Sequence, residues 1–223
     1  LMGDLDAETV QMACDVAKAL NPNILILGEG WITYEGDDGD RRVAADQKWM
    51  HMTDDAACFS DEIRNEVKSG FGCEGEPRFI TGGKRNIMLL FSNIKGQPTN
   101  MTADDPGDVV QYIEAHDNLT LHDVIAYSIR KDPSVKKNEE EIHKRIRLGN
   151  TIILTSQGIA FLHAGQEYGR TKQWLAPGVP EDKYTEVPGF KYPYFIHDSY
   201  DSTDIINRFD WNKVTVDGVH RQT

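Results

Sequence analysis

Apolar positions along this chain recur with two different periods. Between Asp6 and Leu20 they return every three to four residues, at Val10, Ala13, Cys14, Ala17 and Leu20. That spacing predicts a helix with one apolar face, capped by Asp6 and stopped by Asn21-Pro22. The next stretch, Ile24 to Leu27, is aliphatic at every position, the pattern of a strand buried on both faces. After a polar loop from Tyr34 to Arg42, residues 44–52 read as a short helix, 56–59 as a second strand and 61–69 as another helix. Residues 72–107 are rich in Gly, Pro and Asn around one helix at 86–94, so they form a long excursion between core elements.

Beyond this excursion the pattern sharpens. Val109 to Ile113 is a strand-prone run, and Thr120 caps a helix to about Arg130, with Asp123 completing a T-x-x-D box. Ile142, Ile146, Gly149 and Ile153 fall at helical spacing; Gly158 ends that helix and Ile159 to Leu162 reads as a fourth short buried strand. Residues 164–223 carry no comparable pattern and read as loop over one face. Strand and helix thus alternate four times, which argues for parallel βαβ units of an α/β fold. Four such units make either a small doubly wound sheet or half of an eight-stranded barrel. The placement of polar residues favours the barrel: Glu29 follows the first strand and His116-Asp117-Asn118 follow the third, at the rim where barrels carry their chemistry.

Composition narrows the picture little. At 223 residues, with eight Phe, eight Tyr and four Trp, the chain can bury a core. Its formal charge of −12 disfavours nucleic acid and anionic membrane surfaces, and it has no apolar run long enough to span a bilayer. A neutral, hydroxyl-rich ligand meets no such repulsion. The cysteines Cys14, Cys58 and Cys73 are widely spaced and odd in number, so they read as core or surface thiols.

Each candidate group also has a plain reading. "GEG" (28–30) is either a turn carrying a solvated glutamate or a carboxylate at a barrel mouth, walled by Trp31, with glycines that let a substrate approach. Partial desolvation at such a mouth favours the neutral form of a carboxyl group, which suits a general acid. His116 and Asp117 either serve the start of the next helix or act on a ligand. His116, Asp117, His122, His163 and Glu167 are of metal-binding types, but their spacing matches no compact metal motif.

Taken together, "GEGW" (28–31) and "YIEAHDN" (112–118) resemble two signature regions of the α-amylase family of glycoside hydrolases, family 13. "FSDEIRN" (59–65), "GQEYGRTK" (165–172) and "HDSYDSTDIINRFDW" (197–211) narrow the resemblance to type I pullulanases, which cut α-1,6 branch points in pullulan, glycogen and starch. The resemblance covers nearly the whole chain. It implies that residues 1–223 are the C-terminal half of a (β/α)8 barrel, about strands five to eight, acting on an α-glucan. By it Glu29 is the general acid/base and Asp117 the acid that holds the sugar hydroxyls at the transition state. His116 and Asn118 bind the same glucose and Trp31 walls it, while Tyr168, Arg170, Asp198 and Tyr200 sit on the rim near neighbouring sugars.

In the family the nucleophile is an Asp in a motif like "GFRFDLMG", and this chain opens "LMGDLD". The resemblance therefore implies a nucleophile just before Leu1, a missing first half-barrel as partner, and an inactive isolated chain. It implies no organic cofactor, leaves room for a structural calcium ion to which no ligand is assigned, and suggests an extracellular or bacterial-surface parent enzyme. An α-1,4-acting amylase-type enzyme and a non-catalytic glucan-binding or assembly fragment remain as alternatives.

Overall fold

Asp6 starts the first helix as its sequence position requires. Its carboxylate accepts hydrogen bonds from Thr9 N and Thr9 Oγ1, both 2.9 Å, and pairs with Arg42 Nη1 at 3.0 Å. These bonds, the Thr9 amide first, hold Asp6 below the usual carboxylate range. The computed structural model describes residues 1–223 and divides them into two compact units. The first contains Leu1–Ile63, Asn86–Tyr112 and Thr155–Phe161; the second contains Arg64–Arg85, Ile113–Leu154 and Leu162–Thr223.

In chain order the elements are α1 (Ala7–Leu20), β1 (Leu27–Gly28), β2 (Ala57–Phe59), α2 (Asp61–Val67), α3 (Ile87–Ile94), β3 (Val109–Gln111), α4 (Leu121–Ser128), α5 (Lys136–Thr155) and β4 (Ile159–Ala160). They continue with β5 (Tyr184–Glu186), β6 (Tyr194–Ile196), α6 (Asp204–Asn207), α7 (Trp211–Thr215) and α8 (Gly218–Arg221). The first unit holds a parallel sheet of order β1-β2-β3-β4, paired Leu27 to Ala57, Cys58 to Val109 and Val110 to Ile159. The chain is therefore α/β with four parallel strands, as the alternating pattern indicates.

Burial follows position in that sheet. Central β2 and β3 bring Ala57, Cys58, Val109, Val110 and Gln111 fully inside, and Cys58 and Val109 pack in one cluster with Val10, Cys14, Trp49, Met50 and Met101. Gln111 is tolerated there because its Nε2 donates to Asn93 O (2.8 Å) and Gln157 O (2.7 Å). Gly158 is required beside it: its φ is +114°, and a Cβ would lie 2.6 Å from Val109 O.

Several expectations need correction. Within residues 1–223 the run from Ile24 is not buried on both faces: only Leu27 of it falls in β1, which pairs with β2 alone, and Leu25 is 60% exposed. The fourth strand likewise lies at an edge, with Ala160 exposed. α1 buries only Ala7, Val10 and Cys14, while Leu20 projects outward. Residues 44–52 form no α-helix, only a 3-10 turn at Met50–Met52. Their amides serve distant carbonyls instead: Ala45 N donates to Leu5 O and Gln47 N to Gly30 O.

In the second unit, Thr120 caps α4 by accepting from Asp123 N (3.2 Å). The reciprocal half of the box is not formed, because the Asp123 carboxylate faces Thr171 Oγ1, Lys172 N and His122 Nδ1. The segment read as loop contains the antiparallel pair β5/β6, whose Phe195 packs with Leu119, Val124 and Val187. Gly149 lets α5 approach Ile113, whose Cδ1 would lie 2.8 Å from a Cβ there. All three cysteines are free thiols, and Cys14 and Cys58 are buried. No helix is long and apolar enough to cross a membrane.

Candidate active site

Parallel strands send their C-terminal ends to one edge of a sheet, so the residues following β1 and β3 leave the first unit's sheet on the same side. Glu29 is the residue after β1, and Tyr112 follows β3 five positions before Asp117. With β2 between them, the two strand ends lie about 10 Å apart, two strand spacings. Glu29 itself is half-buried, and its carbonyl accepts from Gly3 N at 2.8 Å.

The glycines around Glu29 have a cause that sequence reasoning missed. A Cβ on Gly28 would lie 2.8 Å from Met2 Cβ, and one on Gly30 would lie 2.1 Å from Cys58 Sγ. A Cβ on Gly3 would lie 1.9 Å from Trp31 O. The small residues seat the glutamate-bearing segment on its own unit, and this contact accounts for them without invoking a bulky ligand. Gly30→Ala therefore costs about 1–3 kcal/mol by overpacking. Denaturant titration should show that loss, and Cys58→Ala in the same chain should return part of it. An undiminished midpoint in Gly30→Ala alone would refute the contact.

The two acids near the N-terminus are already engaged. Asp4 accepts from Thr33 Oγ1, and Asp6 caps α1.

In the second unit the segment from Glu114 to Asn118 is fixed from several sides. Glu114, 1% exposed, accepts from Leu121 N (2.7 Å) and pairs with His163 Nδ1 (3.0 Å), so it supports the start of α4. Asn118 adopts φ +60° and Asp198 φ +48°, left-handed values that Asn and Asp tolerate better than most residues. The pair is stitched together: Asn118 N donates to Asp198 Oδ1 (2.6 Å), Asp198 N to Asn118 O (3.4 Å), and Ser199 N to His116 O (3.1 Å). Asn118 Nδ2 also donates to Glu74 Oε1 (3.1 Å). Just past it, buried Lys68 donates to Leu119 O (3.0 Å); burial brings its pKa down to about 8.

This bracing leaves His116 and Asp117 presented outward. Their side chains are 52% and 30% exposed, with Nε2 to Oδ1 at 3.4 Å. The Tyr200 ring stands edge-on to His116 at 5.9 Å, and Lys183 donates to its hydroxyl at 2.6 Å. The structure thus brings together His116, Asp117, Asn118, Asp198 and Tyr200. Glu74, Lys68 and Ser199 join them; no periodicity or motif marks Glu74 or Lys68, and Ser199 lies in the 197–211 stretch without being singled out there.

Tyr168 and Arg170 lie elsewhere in the same unit. Tyr168 is 2% exposed, its hydroxyl accepts from Asp210 N (3.2 Å) and its ring packs on Phe209. Arg170 is buried, donates to Asn207 O (3.2 Å), and meets His163 Nδ1 at 3.3 Å. Both are packed inside their unit, where the resemblance led us to expect a rim.

An outward carboxylate–imidazole pair on a braced segment can bind hydroxyls, and a half-buried glutamate at a strand end can transfer a proton. No protein-family model matches the chain. Pullulanase A of Streptococcus pneumoniae serotype 2 is 56% identical over 96% of this chain and 18% of that protein. Among solved structures, the catalytic module of the multi-modular glycogen-degrading pneumococcal virulence factor SpuA, in complex with an inhibitor, matches with TM-score 0.92 and 55% identity, over 96% of this chain and 32% of that one. The Group B Streptococcus pullulanase SAP in complex with maltotetraose matches with TM-score 0.91 and 58% identity, over 96% and 28%. The chain therefore spans a minor part of each relative's length. By sequence and by fold together, it belongs to the pullulanases of glycoside hydrolase family 13 and corresponds to part of their catalytic module.

Proposed function

We propose that the intact protein hydrolyses α-1,6-glucosidic branch linkages of pullulan, glycogen or starch with retention of configuration, and that residues 1–223 supply its general acid/base and its transition-state stabiliser. The observation that carries this reading is the parallel sheet of the first unit, whose β1 and β3 deliver Glu29 and Tyr112, five positions before Asp117, to one edge. The relatives reported above, one glycogen-degrading and one holding maltotetraose, support an α-glucan as substrate.

In this reading β1 to β4 are about strands five to eight of a (β/α)8 barrel, residues 1–223 are one part of its catalytic domain, and four further strands complete it. Glu29 protonates the departing glycosidic oxygen while a nucleophilic carboxylate attacks the anomeric carbon, and Glu29 then takes a proton from the water that releases the sugar. Asp4, Asp6 and Glu114 are committed to structural bonds, so none of them is assigned as that nucleophile. Asp117 accepts hydroxyl hydrogen bonds that tighten as the ring flattens. His116 and Asn118 orient the same sugar, Trp31 walls it, and Asp198 and Tyr200 frame the neighbouring position. Arg170 supports that frame at one remove, through Asn207, whose Nδ2 donates to Ser199 O (2.6 Å), and Tyr168 packs on Phe209 in the same unit.

Product analysis of the intact protein separates this from an α-1,4 activity. Maltotriose released from pullulan is the expected result; cleavage of linear amylose with pullulan left whole would overturn the proposal.

A further inference from the structure

The second unit holds a cluster that the hydrolytic reading does not use. His122 on α4 and Glu139 and His143 on α5 bring their donor atoms within 4.8 Å of one another. His122 Nε2 lies 3.2 and 3.3 Å from the two Glu139 oxygens, and His143 Nε2 lies 3.2 Å from Glu139 Oε2. Both imidazoles are fully buried.

Hydrogen bonds on the far side of each ring decide what these atoms can do. Thr223 Oγ1 donates its proton to Val219 O, so at 2.6 Å it must accept from His143 Nδ1–H. With its proton on Nδ1, a neutral His143 presents Nε2 as a bare lone pair. That lone pair faces a carboxylate oxygen, and the buried Nε2 has no hydrogen-bond partner. Two acceptors in contact away from solvent repel unless a cation lies between them. His122 is oriented in the same way: its Nδ1 meets Asp123 Oδ1 at 3.0 Å, the carboxylate–imidazole relay that aims the opposite nitrogen at a metal. Asp123 is itself held by Thr171 and the Lys172 amide.

We infer that His122, Glu139 and His143 form a binding site for a divalent transition metal of the zinc class. Ligands about 2.0 Å from a tetrahedral ion stand about 3.3 Å apart, and the nitrogen–oxygen separations here are 3.2 and 3.3 Å. Imidazole and a single carboxylate favour zinc over calcium, which takes oxygen ligands. The three side chains leave a fourth coordination position for water or a further ligand, and the His220 ring stands edge-on to that of His143 at 4.4 Å, its Nδ1 donating to Tyr168 O (2.8 Å). Glu139 and His220 also line an open surface cavity, through which an ion can enter. Such an ion would pin α4 to α5.

The test is metal titration of the chelator-stripped intact protein at mildly alkaline pH with Zn²⁺, with Co²⁺ as a spectroscopic probe and Ca²⁺ as control. One tightly held equivalent of zinc, a visible Co²⁺ spectrum of four-coordinate nitrogen ligation and a rise in Tm are expected. Glu139→Gln and His143→Gln should each weaken zinc binding at least tenfold while still hydrolysing pullulan, which reports that they fold. Zinc binding equal in wild type and both variants, or no retained zinc in active wild-type protein, would overturn the inference.

Discussion

Glu29→Gln in the intact enzyme should lower kcat on pullulan by about a hundred- to ten thousand-fold, the range set by removal of a general acid/base. Glutamine keeps the size and hydrogen-bonding reach of the side chain but cannot give up a proton to the leaving oxygen. The half-buried seat of Glu29, on a strand end bonded through Gly3 N, should therefore stay intact. Two signatures distinguish loss of proton transfer from loss of structure. An aryl glucoside whose leaving group is already acidic needs little protonation, so its first step should slow far less than pullulan cleavage. Azide attacks without a base, and adding it should restore turnover with a glucosyl azide product. A folded Glu29→Gln enzyme that keeps more than a tenth of wild-type kcat would remove Glu29 from the mechanism.

Asp117→Asn should cost about a hundredfold or more in kcat, corresponding to several kcal/mol from hydroxyl contacts that strengthen at the transition state. The backbone under Asp117 is clamped by Asn118, Asp198 and Ser199, so the substitution should not move its neighbours. Because the lost interaction belongs mainly to the transition state, KM should change little. A transition-state-like inhibitor should lose affinity in step with kcat/KM. A rise in KM with kcat preserved would mean that Asp117 only binds substrate, and the assigned role would fall.

Much of this arrangement was legible because local chemistry decides it. Asp6 and Thr120 accept from the first amides of α1 and α4, and a cap needs no information beyond its own turn. The apolar runs of β2 and β3 likewise announce central strands. What the pattern missed depends on distant partners. Residues 44–52 have helical spacing, but Leu5 and Gly30 claim two of their amides, and those carbonyls lie far away in the chain. Ile24 to Leu27 is as aliphatic as a central strand, yet only Leu27 falls in β1, which within residues 1–223 pairs with β2 alone. β5 and β6 are three residues each, too short for alternation to register.

The chemistry divides in the same way. Glu29 and Asp117 could be singled out because each follows a recognisable strand. Gly28 and Gly30 carried an ambiguous signal, and only the positions of Met2 and Cys58 explain them. Glu139 and His143 sit one helical turn apart, a visible pairing, but His122 lies on another helix, so no sequence spacing could join the three.

The most direct measurement of the central claim is a crystal structure of the intact Glu29→Gln enzyme soaked with a branched maltooligosaccharide. The substituted side chain at position 29 should lie within hydrogen-bonding distance of the scissile oxygen, with Asp117 accepting from hydroxyls of the adjoining glucose. Sugar bound with those two positions on different residues of the chain, or with either one turned away from it, would contradict the account.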